Sequence, residues 1–373
     1  MGPSLIAEGY RERFSHGLLT SAGSLGILIP PSIPMIVYPI VNQTAVIEVE
    51  RLFASGFGPG IVMGSILIGY SFYQGIVDKV PTSPFKFKRL AAATRDGFWA
   101  LMFPLLILGG IYGGIFNAVE ASAVSVAYAV VVEVWLHRAL KLKEIPSIFG
   151  ETGVFLGSFL VIMVMALALG EFLEKEEIPA LMVEWIQGKE LEHWQFLILL
   201  NLILLAVGMM MDILSAMFVF VPLLAPIAAS MGVDPMHFGI IFIVNLEIGY
   251  LTPPVGLNLF VASALYEKGL GHVIRSVAPF VGLMLIGLGL ITWYPQISIG
   301  LGNAIMGADP NALVDEDGDG MDDRGEDAGG MPTMEEMMRE AMEAEAGEEE
   351  EDLEAEELDD EEVEEVLDAQ EGQ

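Results

Sequence analysis

Uncharged polar side chains lie beside two proline pairs in an otherwise strongly apolar sequence. Ser24 and Ser32 flank the first pair, and Asn245, Thr252 and Asn258 lie around the second. Hydroxyl and amide oxygens of this kind can supply or orient ligands for a hard cation such as sodium. The residue types therefore predict a site for an ion or a polar solute within apolar segments.

The proline pairs belong to two copies of one short sequence, Gly-x-Leu-x-Pro-Pro. The copies begin at Gly26 and Gly249, and a shift of 223 positions without a gap superimposes them. The same shift superimposes Pro3 on Pro226. A gapless match over 28 residues indicates an internal repeat.

Two consecutive prolines interrupt a membrane helix, because each removes a backbone donor and forces the preceding residue out of the helical conformation. Non-helical backbone at membrane depth is tolerated only where it is buried in protein or lines a wet cavity. Paired broken helices in two repeats therefore predict the binding site of a secondary transporter. The simpler alternative is that each proline pair only bends a packing helix.

Asp212 is the one charged residue in the apolar stretch 195–228. An ionisable residue at membrane depth is costly and usually faces a cavity, an ion or a partner. Asp is also favoured at a helix N-terminus, where its side chain accepts backbone amides. We interpret the stretch as a re-entrant hairpin whose second arm Asp212 could cap, and the two roles of Asp212 are compatible.

The composition is that of a polytopic membrane protein, since 53% of the 373 residues are hydrophobic and 18% are charged. The net charge of −34 is concentrated in residues 308–373, which hold 30 acidic and two basic residues. The absence of cysteine excludes disulfides, thiolate metal sites and a cysteine nucleophile. The five histidines lie at segment ends, which predicts interfacial or surface positions and no metal cluster. We expect contact with membrane lipid and no nucleic-acid partner.

Apolar stretches that can cross a bilayer core, which takes about 20 residues, fall at 17–42, 53–76, 97–116, 118–136, 153–171, 195–228, 237–264 and 273–299. Lysines and arginines cluster in 79–95 and 138–143, and the positive-inside rule places both loops in the cytoplasm. When membrane crossings are counted from these cytoplasmic loops, segment 17–42 runs outward through the membrane and segment 237–264 runs inward. The sequence predicts an all-α polytopic membrane protein, an inverted-repeat secondary transporter with a re-entrant hairpin and Pro-Pro-broken helices.

Four parts follow from this pattern: the C-terminal part of a first inverted repeat (1–78), a basic cytoplasmic loop (79–96), a second inverted repeat (97–307) and an acidic tail (308–373). Residues matching 97–223 would precede Met1, so the first repeat is incomplete and we expect about 125 residues to be missing. A truncated, non-transporting remnant is therefore one alternative.

The motifs resemble the large membrane subunit of TRAP (tripartite ATP-independent periplasmic) transporters, the DctM-like proteins, over about residues 2–300. The resemblance is carried by the run 23–34 (Gly-Ser-Leu-Gly-Ile-Leu-Ile-Pro-Pro-Ser-Ile-Pro), the pairs Met211-Asp212, Asp234-Pro235 and Phe238-Gly239, Asn245, Gly249 and the run 252–261 (Thr-Pro-Pro-Val-Gly-Leu-Asn-Leu-Phe-Val). These long motifs recur in the family's order and spacing.

The resemblance implies the large permease subunit of a sodium-coupled importer of organic acids such as dicarboxylates, in the bacterial inner membrane. It implies a small DctQ-like membrane subunit and a periplasmic DctP-like substrate-binding protein as partners, sodium as the coupling ion, and no cofactor. The residues expected to bind substrate or ions are Ser24, Gly26, Pro30, Pro31, Ser32, Asp212, Asn245, Gly249, Thr252, Pro253, Pro254, Gly256 and Asn258.

The acidic tail is expected to be disordered, because its apolar content is too low to form a core. Crossing counts place it on the periplasmic side. Within it, Asp315, Asp317, Asp319 and Glu326 match the spacing of an EF-hand calcium loop, with Gly320 at the turn. Calcium binding there is a second, independent hypothesis.

An intramembrane enzyme that uses Asp212 is an alternative from another functional class. Hydrolysis at membrane depth needs a second buried carboxylate or a histidine. Only Glu120 and Glu247 could supply a central acidic partner.

Overall fold

The computed structural model describes residues 2–42, 44–81, 86–189 and 191–306, and this part of the chain is helical, without a strand. Its first helices are α1 (Gly2–Ala7), α2 (Glu12–Ser24), α3 (Ile33–Val41), α4 (Val49–Val77), α5 (Phe87–Asp96), α6 (Phe98–Tyr112) and α7 (Ala118–Val130). The others are α8 (Ile145–Lys175), α9 (Ile178–Gln187), α10 (His193–Met210), α11 (Ile213–Ser230), α12 (Pro235–Gly249), α13 (Leu257–Leu265), α14 (Leu270–Trp293) and α15 (Gln296–Met306). The acidic tail and the calcium-loop residues Asp315, Asp317, Asp319 and Glu326 lie outside the described residues.

Six helices of the described residues are long and apolar enough to cross a membrane: α4, α7 extended to Leu136, α8, α10, α11 and α14. A seventh candidate is the pair α5 and α6, which meet at a bend of 68°. The predicted all-α class with multiple membrane spans is therefore confirmed. Because α10 and α11 are each long enough to span, the re-entrant hairpin remains a prediction.

Helix boundaries repeat with the shift found in the sequence. Helix α2 begins at Glu12 and α12 at Pro235, which is 223 positions later. Helices α1 and α11 end at Ala7 and Ser230, again 223 positions apart. The starts of α3 and α13, and of α4 and α14, match the same shift within two positions. The sequence repeat is thus a repeat of helical elements.

Both proline pairs interrupt a helix as predicted. Helix α2 tightens into a 3-10 turn over Leu25–Ile27, and helical structure resumes only at Ile33. Helix α12 ends at Gly249, and α13 begins at Leu257. The Pro30–Pro31 and Pro253–Pro254 peptide bonds are both cis.

Helix α12 lies at the centre of the core. Every residue from His237 to Gly249 is buried, and the helix contacts α4, α10, α11, α14 and α15. Because the sequence of α12 is apolar on all faces, burial on every side is expected. Asn245 and Glu247 are the two polar exceptions along its second half, and both are 0% exposed. The fold thus places two polar side chains where water is excluded.

Residues 79–96, predicted as a basic cytoplasmic loop, include helix α5 (Phe87–Asp96), so this connecting segment is partly helical. Its sequence, Phe-Lys-Arg-Leu-Ala-Ala-Ala-Thr-Arg-Asp, is rich in good helix formers. Helix α5 has no buried residue and turns sharply into α6.

Candidate functional site

Asp212 caps the second arm of the α10–α11 hairpin. Its Oδ2 accepts the backbone amides of Leu214 at 3.1 Å and Ser215 at 3.0 Å. The capping role proposed from the sequence is confirmed, and the carboxylate compensates the positive end of α11. The side chain is half-buried.

The turn of the hairpin is bonded to the break that follows α12. The carbonyl of Met209 accepts the backbone amides of Val255 at 3.2 Å and Gly256 at 3.3 Å. On the other side of the turn, the hydroxyl of Tyr250 accepts the amide of Ile213. These bonds hold the second proline pair beside Asp212.

Two glycines allow the hairpin and α12 to approach this closely. A Cβ added to Gly249 would lie 2.4 Å from the carbonyl carbon of Gly208. A Cβ added to Gly208 would lie 2.9 Å from the Cα of Leu246. Helices α10 and α12 therefore cross with their backbones in contact.

In the second break, between α12 and α13, backbone groups that leave the helix are hydrogen-bonded to groups within the break or at the end of α12. Thr252 Oγ1 donates to the carbonyl of Ile248 at 2.8 Å, and the amide of Asn258 donates to the carbonyl of Tyr250 at 3.2 Å. Gly256 has a φ of 50°, in the left-handed region that favours glycine. Thr252 and Asn258 are half-buried, whereas Pro253 and Pro254 are exposed. The side chains beside this break therefore remain accessible.

The first break packs on α4 instead of on a hairpin. Ser32 is buried, and its Oγ donates to the carbonyl of Ile27 at 2.5 Å. The carbonyl of Leu28 would lie 2.8 Å from a Cβ added to Gly56 of α4. Pro30 is buried, while Gly26 and Pro31 are exposed.

A polar chain runs between α10, α12 and α14. Asn245 Nδ2 donates to Asn201 Oδ1 at 2.7 Å and to the carbonyl of Ile241 at 2.8 Å. Asn201 Nδ2 lies 3.3 Å from Thr292 Oγ1. The sequence prediction included Asn245 but missed Asn201 and Thr292. Asn201 could have been found as the single polar residue in the apolar run 196–208.

Glu247 joins the two repeats. Its Oε1 accepts a hydrogen bond from Ser24 Oγ at 3.2 Å, and both side chains are buried. Among the described residues, Glu247 Oε2, Asn245 Oδ1 and Ser21 Oγ are buried without a hydrogen-bond partner. Unpartnered buried oxygens are uncommon in folded proteins. These donor types fit a hard cation such as sodium.

The two broken helices lie antiparallel. Glu12, at the start of α2, pairs with Lys268, just after α13, at 2.8 Å. Tyr38, near the end of α3, donates to the carbonyl of Pro235, at the start of α12, at 2.6 Å. The start of each broken helix thus meets the end of the other. The hydrogen bond to Lys268 lowers the pKa of the Glu12 carboxyl, which lies outside the membrane spans.

Two histidines are buried, contrary to the prediction of surface positions. His16 stacks on Tyr266 with ring centroids 4.2 Å apart, and its Nδ1 lies 3.4 Å from His272 Nε2. His237 Nδ1 lies 3.2 Å from Ser298 Oγ. The prediction failed because α13, α14 and α15 cover these segment ends. Within the described ranges, no group of three or more potential ligands forms a metal cluster.

The structure thus unites most of the predicted site residues in one group, which comprises Asp212, Gly249, Thr252, Pro253, Pro254, Gly256 and Asn258 at the second break. Ser24 contacts Glu247, whereas Asn245 contacts Asn201 of α10. The residues of the first break, Gly26, Pro30, Pro31 and Ser32, do not join this group; their neighbour Leu28 lies against Gly56 of α4.

Comparison with known proteins identifies the family to which this chain belongs. The family model described as "Tripartite ATP-independent periplasmic transporter, DctM component" matches residues 1–297. The chain belongs to the DctM family. It is a multi-pass membrane permease of the TRAP type and not an enzyme, which excludes Asp212 as a catalytic group.

Relatives of this DctM-family permease are named for different substrates. The chain is 37% identical over 300 residues to the C4-dicarboxylate TRAP transporter large permease protein DctM of Pseudomonas aeruginosa, covering 80% of this chain and 70% of that protein. It is 35% identical over 299 residues to the isethionate TRAP transporter permease protein DctMQ of Oleidesulfovibrio alaskensis, covering 79% and 46%. It is 31% identical over 299 residues to the ectoine/5-hydroxyectoine TRAP transporter large permease protein UehC of Ruegeria pomeroyi, covering 80% and 69%.

Proposed function

We propose that this DctM-family permease imports organic acids, C4-dicarboxylates among them, by sodium symport across the bacterial inner membrane. A TRAP system implies a small DctQ-type membrane subunit and a periplasmic DctP-type binding protein, and these are the expected partners. The relative with 37% identity is named for C4-dicarboxylates, which supports this substrate class. The permeases named for isethionate and ectoine show that membership of the family alone does not fix the substrate.

The single observation that carries the proposal is the bonding of the second break to the hairpin turn. The carbonyl of Met209 fixes Val255 and Gly256 beside the turn, and Thr252 and Asn258 remain half-buried next to it. Interrupted backbone at the contact between helices is where secondary transporters bind their substrates and ions. The antiparallel broken helices, which meet at Ser24 and Glu247, support an inverted-repeat architecture.

Sodium is proposed as the coupling ion because buried oxygens without hydrogen-bond partners in the described part of the chain are available on α12. Asn245 Oδ1 and Glu247 Oε2 have no partner among the described residues. Helix C-termini and unwound carbonyls coordinate sodium at similar breaks in other transporters. Thr252 and Asn258 would supply or orient further oxygens at the accessible side.

The test is uptake by proteoliposomes that contain the full chain with its two partner proteins. We expect uptake of a labelled C4-dicarboxylate that requires an inward sodium gradient and both partners. Uptake that persists when potassium replaces sodium would contradict sodium coupling. Uptake of isethionate or ectoine and not of the C4-dicarboxylate would change the proposed substrate but not the proposed transport function. Failure to take up any of the three solutes would support a non-transporting chain.

A further inference from the structure

Helix α5 and the start of α6 form an open, largely apolar groove away from the transport site. Every residue of α5 is at least partly exposed, and the chain bends by 68° between α5 and α6. The groove has a volume of about 690 Å³ and includes Phe87, Leu90 and Arg95 from α5 and Trp99 from α6. A volume of this size matches small-molecule sites.

The apolar side of α5 is well defined by helical spacing. Leu90, Ala91 and Thr94 follow Phe87 by three, four and seven positions, and the four residues line the groove together. Phe87 is 74% exposed and Leu90 is 48% exposed, so neither is covered by the rest of the described chain. Such an amphipathic helix lies in the interface of a bilayer with its apolar side towards the acyl chains.

Two cations border this apolar side. Lys88 and Arg95 are seven positions apart, so they lie on one edge of the helix, and Arg95 itself lines the groove. No carboxylate of the described residues forms an ion pair with Lys88, Arg89 or Arg95. The edge of the groove therefore carries positive charge that the described protein does not neutralise.

Aromatic residues mark the depth of the groove in the membrane. Trp99 stacks edge-to-face with Phe98 at 5.2 Å, and its carbonyl accepts the hydroxyl of Tyr128 at 2.8 Å. Tryptophan and tyrosine concentrate at the level of the lipid headgroups. Since α6 continues into apolar, exposed sequence, the groove opens where headgroups and acyl chains meet.

We infer that this groove binds an anionic phospholipid. Its acyl chains lie on Phe87, Leu90 and Trp99, and its phosphate lies between Lys88 and Arg95. Charge complementarity selects an anionic lipid, because basic residues beside a membrane attract the negative headgroups of the cytoplasmic leaflet. This inference goes beyond the transport function and does not depend on the solute that is carried.

Native mass spectrometry of the full chain can test the site with a defined lipid pair. The protein is equilibrated with equal amounts of phosphatidylglycerol and phosphatidylcholine that carry the same acyl chains. We expect preferential retention of phosphatidylglycerol, and about a fivefold loss of that preference for each charge removed by Lys88→Gln and Arg95→Gln. The swap Lys88→Arg with Arg95→Lys keeps both charges and should keep the preference.

The matched control removes two charges from the other basic loop. Lys141→Gln with Lys143→Gln has the same net change, and neither residue lines the groove. A loss of preference in this control as large as in the groove variant would overturn the site, as would equal retention of both lipids by the unmodified chain.

Position within the groove is tested by quenching with phosphatidylglycerol brominated on its acyl chains. We expect the quenched fraction of tryptophan fluorescence to fall in Trp99→Phe relative to the unmodified chain. An unchanged quenched fraction would mean that protein, and not lipid, covers the groove, and would overturn the inference.

Discussion

Ser24 Oγ lies 3.2 Å from Glu247 Oε1, and the two residues are 223 positions apart, the same shift that superimposes the two Pro-Pro motifs. Equivalent positions of the two repeats are therefore in direct contact. The Ser24 hydroxyl also lies 2.8 Å from the carbonyl of Ser21, and it has a single hydrogen for both acceptors. A side chain at position 247 that can donate to Ser24 would complete both bonds.

We predict that Glu247→Gln preserves the fold, because the amide can donate to Ser24 Oγ without a buried charge. Glu247→Ala should destabilise the protein by about 1–3 kcal/mol, because it leaves a cavity in the core. Thermal unfolding of both variants in detergent provides the comparison. Equal destabilisation by the two substitutions would contradict the role of the hydrogen bond.

Gly249→Ala should disrupt the crossing of α10 and α12. The new Cβ would lie 2.4 Å from the backbone of Gly208, which cannot rotate away. We expect a loss of about 3 kcal/mol, the upper end of the usual cost of overfilling a well-packed core. Gly282→Ala in α14 is the control, since a Cβ there meets nothing within 4 Å. Unfolding midpoints that agree for the two variants would argue against a tight crossing.

Thr252→Val is expected to weaken sodium-dependent uptake more than Thr252→Ser. Valine has the shape of threonine but lacks the oxygen that now donates to the carbonyl of Ile248, whereas serine keeps it. We expect about a tenfold higher half-saturating sodium concentration for the valine variant. The same sodium titration applies to Asn258→Ala, with Met210→Leu as a volume-conserving control. If all variants show the same half-saturating sodium concentration as Met210→Leu, the sodium site does not include Thr252 or Asn258.

The ion pair between Glu12 and Lys268 should stabilise the contact between broken helices in a pH-dependent way. The pKa of Glu12 is lowered by its hydrogen bond to Lys268, so its contribution is present above the unfolded pKa and is lost as the pH falls through the folded pKa. The difference in unfolding temperature between the unmodified chain and Glu12→Gln should therefore be small, should start to shrink near the unfolded glutamate pKa of about 4.3, and should vanish once the pH lies below the lowered folded pKa. Lys268→Gln should show the same pH dependence of the unfolding temperature. A difference from the unmodified chain that grows as the pH falls would contradict a stabilising ion pair between Glu12 and Lys268.

The sequence predicted the features that depend on local chemistry. Paired prolines break helices wherever they occur, so both interruptions were predictable from Pro30-Pro31 and Pro253-Pro254. The opposite direction of the broken helices followed from the distribution of lysine and arginine, and the Glu12–Lys268 contact agrees with it. A capping role for Asp212 was one of two interpretations that the sequence allowed, because a cap depends on the residues that follow it directly.

Long-range contacts could not be predicted in the same way. The approach of Asn201 to Asn245, of His16 to His272, and of Ser24 to Glu247 depends on how helices far apart in sequence pack. The local sequence around a histidine at a helix end also does not show whether another helix covers it. The acidic tail and its calcium hypothesis remain predictions.

The contact between Ser24 and Glu247 brings together the carboxyl-terminal ends of α2 and α12, from opposite directions. Each such end carries roughly half a negative charge, so the two ends repel each other across a region that excludes water. A monovalent cation between them would reduce this repulsion. Cation binding would then also act as a clamp on the two repeats, and the ion-free chain would be the looser form.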